Sequence, residues 1–227
     1  MLGEGQSPKR AKGKAMKKGR TLRFMVVFLS GFLATTTSVY AAHFAAAGVD
    51  SHITPKTEVQ FSFLGVSSRP TPDPEFMPVI PTQYQCTVVH KDESMSFQLF
   101  ASAKEIDPFT VVTSEPPDNP DTRIDTITIT GTLLSHIVFV SKGDVQSFTE
   151  IISFTAIGVD KAIPGAGEDT FDLNFDYSAK GIIGPLLSEA LKSEQLVTCD
   201  ANTCTLSLKG TVEKGKGEIE AHSTGGP

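Results

Sequence analysis

The sequence predicts an all-β fold, an antiparallel sandwich or flattened barrel of about eight strands with one short helix. Three observations carry that expectation. Runs of β-branched and aromatic residues alternate with polar ones at period two, as in Val59-Gln60-Phe61-Ser62-Phe63 and Phe171-Asp172-Leu173-Asn174-Phe175-Asp176-Tyr177. Clusters of Pro, Gly, Asn and Asp break these runs at short intervals. Only Pro185 to Ser193 carries helical spacing, with Leu186, Leu187, Ala190 and Leu191 on one stripe and Gly184-Pro185 suited to a first turn.

The N-terminal segment does not belong to that fold. Between Met1 and Ala41 eight basic side chains stand against Glu4 alone, and the apolar core Phe24 to Leu33 follows them. Small residues come next, with Val39 and Ala41 at the minus-three and minus-one positions of a cleavage site. This is the layout of a secretory signal peptide over residues 1–41, with Met16 as an alternative start. The apolar core is too short for a membrane span, which takes roughly 20 apolar residues. The mature chain is therefore expected to begin at Ala42 and to be secreted or periplasmic, with no membrane span. Residues 42–56 read as a flexible N-terminal segment, 57–213 as the all-β domain and 214–227 as a disordered tail.

Beyond the signal the balance is acidic. The remaining 12 basic and 25 acidic side chains give a net charge of −13, although the whole chain carries only −6. Nucleic acid binding depends on Lys and Arg displacing counterions from phosphates, so nucleic acid is excluded as a partner on charge.

Within the domain, Val59 to Phe63 opens the strand series. Arg69-Pro70-Thr71-Pro72-Asp73-Pro74, with Pro78 and Pro81, reads as an extended strap, because proline lacks the amide donor a central strand needs. Tyr84 to Val89 and Met95 to Ala101 pair across the polar turn His90-Lys91-Asp92-Glu93-Ser94. Phe109 to Thr113 is a short run closed by the loop Ser114 to Asp121. The strongest signal is a hairpin of two long runs, Ile124 to Val140 and Val145 to Val159, joined by Ser141-Lys142-Gly143-Asp144. Gly131 interrupts the first run and marks a bulge or bend. Phe171 to Tyr177 adds a third antiparallel strand. The helix then plugs one open end, and Val197 to Cys199 with Cys204 to Val212 forms the last hairpin.

The segment Ile127 to Thr132, then Phe148 to Ala156, Gly158-Val159-Asp160 and the loop Pro164-Gly165-Ala166-Gly167-Glu168 leading into Asp169-Thr170-Phe171-Asp172-Leu173, resembles the β-sandwich accessory modules of bacterial secreted and cell-surface proteins. The resemblance covers about a quarter of the chain. It implies an extracellular, non-catalytic accessory or surface role, toward a surface, a polysaccharide or a protein partner.

Candidate chemistry is sparse. The chain has 3 Cys, 5 His and no Trp. No Gly-x-Ser-x-Gly elbow occurs. A hydrolase would have to use scattered Asp and Glu residues, such as Glu150 and Asp176, with His136, the one histidine inside a strand. Cys199 and Cys204 are spaced wider than a Cys-x2-Cys metal half-site, and a hairpin disulfide explains them in an exported chain, leaving Cys86 as a buried free thiol. Thr126, Thr128, Thr130 and Thr132 line one strand face and Ile127 and Ile129 the other; regular threonine ladders can bind ice or polysaccharide, but a single rung is the ordinary wet face of an amphipathic strand. The absence of Trp removes the usual aromatic platform for sugars. The one metal expectation is calcium at the loop carrying Asp160, Glu168 and Asp169, whose glycines let backbone carbonyls curl inward. No other cofactor is implied, and the protein is expected to be a monomer.

Overall fold

The computed structural model describes residues 42–68, 83–114, 124–161, 169–212 and 216–223. The expected signal peptide, the proline strap at 69–82, most of the loop after Thr113 and the span 162–168 lie outside them. The fold is all-β, but the described residues hold eleven strands rather than about eight, and they form one continuous antiparallel sheet. The strands are β1 (Ala42–His52), β2 (Thr57–Ser68), β3 (Gln83–His90), β4 (Ser96–Ile106), β5 (Thr110–Ser114), β6 (Ile124–Ser141), β7 (Asp144–Asp160), β8 (Thr170–Ser178), β9 (Val197–Cys199), β10 (Thr203–Thr211) and β11 (Gly217–Ser223). One helix, α1 (Ile183–Ala190), lies between β8 and β9. The order is β11-β1-β2-β3-β4-β6-β7-β8-β10-β9, with β5 continuing the line of β4 along β6.

Two corrections concern the ends. Residues 42–52, expected to be flexible, are β1, which pairs with β2 over its whole length and with β11 on its other side. Part of the expected disordered tail is β11, whose Ile219 and Ala221 point inward and are buried at 2% and 0% exposure. Both segments are rich in Ala, Gly and charge, so neither has the β-branched pattern that marks a strand in isolation. Their pairing depends on a close backbone approach. A Cβ at Gly217 would sit 2.0 Å from the Gly48 carbonyl oxygen.

The expected long hairpin is present. β6 and β7 run in register from Asp125↔Asp160 to Ser141↔Asp144. Lys142 (φ 51°) and Gly143 (φ 88°) make the two-residue turn with positive φ at both positions, which suits the right-handed twist of the flanking strands. The irregularity expected at Gly131 falls on the neighbouring strand: the β4–β6 register shifts between Ala103 and Glu105, opposite Leu133 and Thr132 and one pair before Ile106↔Gly131. A Cβ on Gly131 would meet the Glu105 carbonyl oxygen at 2.2 Å, so the close approach of the β4 backbone just past the bulge requires glycine at this position.

Such length and twist curl the sheet into a half-barrel until β11 lies against β5, β6 and β7. Ile219 packs against Gly158 on β7. Among the described residues no backbone ladder closes the seam. Instead the N–H groups of Ile219 and Ala221 donate to the carboxylates of Asp169 (3.2 Å) and Asp160 (3.1 Å). Inward-facing side chains fill the concave side, among them Phe61, Phe63, Tyr84, Leu99, Leu133, Ile137, Phe175 and Leu208. The helix begins two residues earlier than its spacing predicted and lies against β8, β9 and β10 at one end of the curl, with Leu187 and Leu191 fully buried.

Candidate functional site

The most unusual chemistry lies where α1 ends. Alternation along β3 turns Tyr84, Cys86, Val88 and His90 toward the interior, so His90 is the last inward residue of a strand rather than part of the polar turn. Its side chain is 0% exposed. Thr57, at the start of β2, is its register partner. The Thr57 hydroxyl lies 3.0 Å from His90 Nδ1 and donates to Glu194 Oε2 at 2.6 Å. Thr54, in the β1–β2 turn, donates to the same oxygen at 2.7 Å. Glu194 follows α1 and is placed by a tight reversal in which Gln195 adopts φ 56°. The ring of His90 stacks on Phe97 with centroids 5.4 Å apart.

Proton accounting defines the state of this cluster. Thr57 has one hydroxyl proton and gives it to the carboxylate, so His90 Nδ1 must carry the proton that joins it to Thr57. Nε2 is then a bare lone pair. Neither Nε2 nor Glu194 Oε1, which lies 3.5 Å from Nδ1, has a hydrogen-bond partner among the described residues. Burial holds the His90 imidazole below its ordinary pKa; Glu194 and Asp92 pull the other way and Lys56 adds to the lowering. On the surface beside it, the Lys56 ammonium and the Ser94 N–H and hydroxyl hold the Asp92 carboxyl well below the usual carboxylate range.

These residue types are those of a nucleophile, base and carboxylate, but their order differs. In a catalytic relay the imidazole stands between hydroxyl and carboxylate. Here the hydroxyl contacts both, and the imidazole faces no opening. The trio is therefore built to hold three chain segments together.

A second polar group lies deeper. The hydroxyls of Ser135 and Tyr177 are 2.9 Å apart in the interior, near Cys86. Cys86 is the expected free thiol, and burial pushes its pKa up to about 12. The cavity bounded by Ala45, Phe61, Tyr84, Ile129, Leu173 and Ile219 measures about 20 Å³ and is almost wholly apolar. That volume admits about one water-sized occupant, which rules it out as a pocket for an organic ligand.

The other expected site residues are distributed as follows. Cys199 and Cys204 are register partners on β9 and β10 and form a disulfide with Cα atoms 4.0 Å apart. Asp160 and Asp169 do come together, but on the free edge of β11, where Asp169 also accepts the Lys161 N–H. Glu168 lies outside the described residues, and among those described no three His, Cys, Asp or Glu side chains are grouped to hold a metal. His136 stands on the outer face, in contact with the hydroxyls of Thr149 (3.0 Å) and Ser147 (3.4 Å). Glu150 shares the inner face of β7 with Ile152 and Phe154, whereas Asp176 is opposite outward-facing Ser153, so the expected carboxylate pair is split across the sheet.

The outer face of β4, β6 and β7 carries the exposed apolar side chains Phe100 (44%), Leu134 (46%) and Ile151 (50%), clustered by the registers Phe100↔His136 and Leu134↔Ile151. The threonine rung is part of a wider array there. Thr130 and Thr132 continue through Thr155 and Ser153, then Asn174 and Asp176, to Ser207 and Thr205. No family model, curated protein or solved structure matches this chain. No helix among the described residues is long and apolar enough to cross a membrane.

Proposed function

We propose that the protein is an exported, monomeric, non-catalytic β-domain that acts through its outer surface, as a binding or structural element of the secreted or periplasmic space. The observation that carries this reading is the filled concave side: a substrate site needs a cleft with convergent polar groups, and among the described residues apolar side chains pack the concave side around a cavity of about 20 Å³. Export is supported by the signal-like leader and by the Cys199–Cys204 disulfide, a bond favoured outside the reducing cytosol. The resemblance to accessory modules of secreted proteins points the same way. The hydrolase alternative loses support with the separation of Glu150 from Asp176 and with the placement of His136 beside hydroxyls rather than a carboxylate.

The outer face combines an apolar cluster with rows of hydroxyl, amide and carboxylate groups, a composition suited to a polysaccharide or protein surface. The test is co-sedimentation of the mature protein with insoluble polysaccharides, alongside assays on generic ester, glycoside and peptide substrates. Retention that disappears in a Phe100→Ser, Leu134→Ser, Ile151→Ser variant supports the reading. Turnover abolished by His136→Ala or Glu150→Gln overturns it.

A further inference from the structure

Glu194 joins parts of the chain that are remote in sequence. Its carboxylate is 137 residues from Thr57 and 140 from Thr54, and it holds the turn after α1 against the ends of β2 and β3. On the other side of the same segment, α1 is seated on the disulfide. A Cβ at Gly184 would stand 2.8 Å from the Ser178 carbonyl oxygen and 3.0 Å from Cys204 Cβ. The helix and the turn after it thus cross the end of the half-barrel, fixed at one side by a covalent hairpin and at the other by hydrogen bonds to one carboxylate.

We propose that Thr57, His90 and Glu194 form an acid-sensitive latch, which keeps the segment after α1 closed over the end of the half-barrel while His90 is neutral and releases it when His90 takes up a proton. The geometry supplies the reason. Nδ1 already carries a proton toward Thr57, so a second proton must go to Nε2, which is sealed and has no acceptor among the described residues. A buried N–H on a cation without an acceptor is strongly unfavourable, and it is relieved only if the ring reaches water. The charged groups around the ring are Glu194 from the turn after α1, Asp92 from the turn after β3 and Lys56 from the β1–β2 turn. Glu194 and Asp92 favour the imidazolium. Lys56 and burial oppose it, and burial is the largest effect.

The sign of the pH dependence follows. The folded His90 binds its proton less readily than the unfolded one, so its contribution to stability is complete above the ordinary imidazole pKa of about 6.5 and is lost as pH falls through and below that value. Asp92 stays ionised throughout this window, because it is held below the usual carboxylate range.

The test uses the mature, disulfide-bonded protein. Imidazole proton resonances are followed from pH 8 to 5, and amide exchange is measured at pH 7.5 and 5.5. The latch predicts that His90 titrates below the ordinary imidazole value of about 6.5 and that, after correction for intrinsic exchange, acid accelerates exchange at Leu191 and Gln195 more than at Leu133 and Ile137. It also predicts that the urea midpoint of wild type falls between pH 8 and 5.5 while that of His90→Asn changes less. A His90 titration at or above the ordinary imidazole value of about 6.5 overturns the proposal, as does equal acceleration throughout the sheet. If His90→Asn fails to fold, the wild-type titration and exchange measurements still decide.

Discussion

Replacing Gly131 by alanine isolates what permits β6 to run for 18 residues. The new methyl would lie 2.2 Å from the Glu105 carbonyl oxygen and 2.9 Å from Ile106 Cα. Both are backbone atoms, so no rotamer change relieves the clash, and β4 must move away from β6. That movement strains the pairs Glu105↔Thr132 and Ile106↔Gly131 and the adjacent bonds from Asp107 N–H to the Thr130 carbonyl (3.0 Å) and from the Thr130 hydroxyl to Asp107 (2.8 Å). Overpacking costs roughly 1–3 kcal/mol, and weakening one or two hydrogen bonds adds about 1 kcal/mol each. The gain from a less flexible unfolded chain is roughly 0.4–1 kcal/mol. The net expectation is a loss of about 2–4 kcal/mol, a large part of the 5–15 kcal/mol typical of a domain. Equilibrium urea unfolding reads this as a lower midpoint at unchanged slope. Gly143→Ala is the control: a Cβ there meets nothing within 4 Å, so only its φ of 88° opposes the change, at about 1–2 kcal/mol. A Gly131→Ala protein as stable as wild type, or more stable than Gly143→Ala, would refute the reasoning.

Three further outcomes are expected. Leu187→Ala, at a position with 0% exposure, lowers stability by about 2–5 kcal/mol in the same urea assay. Removing the disulfide in a Cys199→Ser, Cys204→Ser variant costs roughly 2 kcal/mol, because the closed loop is short, and leaves near-native far-ultraviolet circular dichroism; Cys86, whose thiol pKa burial pushes up to about 12, then resists alkylation at pH 8 until denaturant is added. Asp169→Asn brings an amide donor close to N–H groups that now share a carboxylate, at a cost of about 1.5–3 kcal/mol, and hydrogen exchange should show the Ile219 amide losing protection before the Ile137 amide does.

The legible part of the fold is the part in which one face is apolar at period two. Ile124 to Val159 and Phe171 to Tyr177 declare their pairing and their inward faces, and the turn at Lys142-Gly143 fixes the register. The disulfide was legible because a short turn separates two cysteines. Strands β1 and β11 were not, since Ala45, Ala47 and Ala221 have little hydrophobic signal and become strands only through neighbours far away in sequence. His90 illustrates a readable signal overridden by its flank. It is in phase with Tyr84, Cys86 and Val88, but the four polar residues after it suggest a turn. Glu194 has no local signal at all, because every partner of its carboxylate lies more than a hundred residues away.

The calcium expectation and the observed seam have a common origin. Acidic residues at the end of one strand and the start of the next, Asp160 and Asp169, offer oxygen atoms at the rim of the sheet, and such atoms attract whatever donors are close. In the folded chain the donors are the N–H groups of β11, two residues apart and therefore on the same edge. A sheet that curls without closing leaves an edge strand with unpaired N–H groups, which is a template for aggregation. Two aspartates satisfy part of that edge with charge-assisted bonds while leaving β11 free of a second ladder. Side-chain closure tolerates a mismatch in strand tilt that a continuous ladder would not, so the half-barrel keeps the curvature that strand length and twist give it while the Ile219 and Ala221 N–H groups still find acceptors.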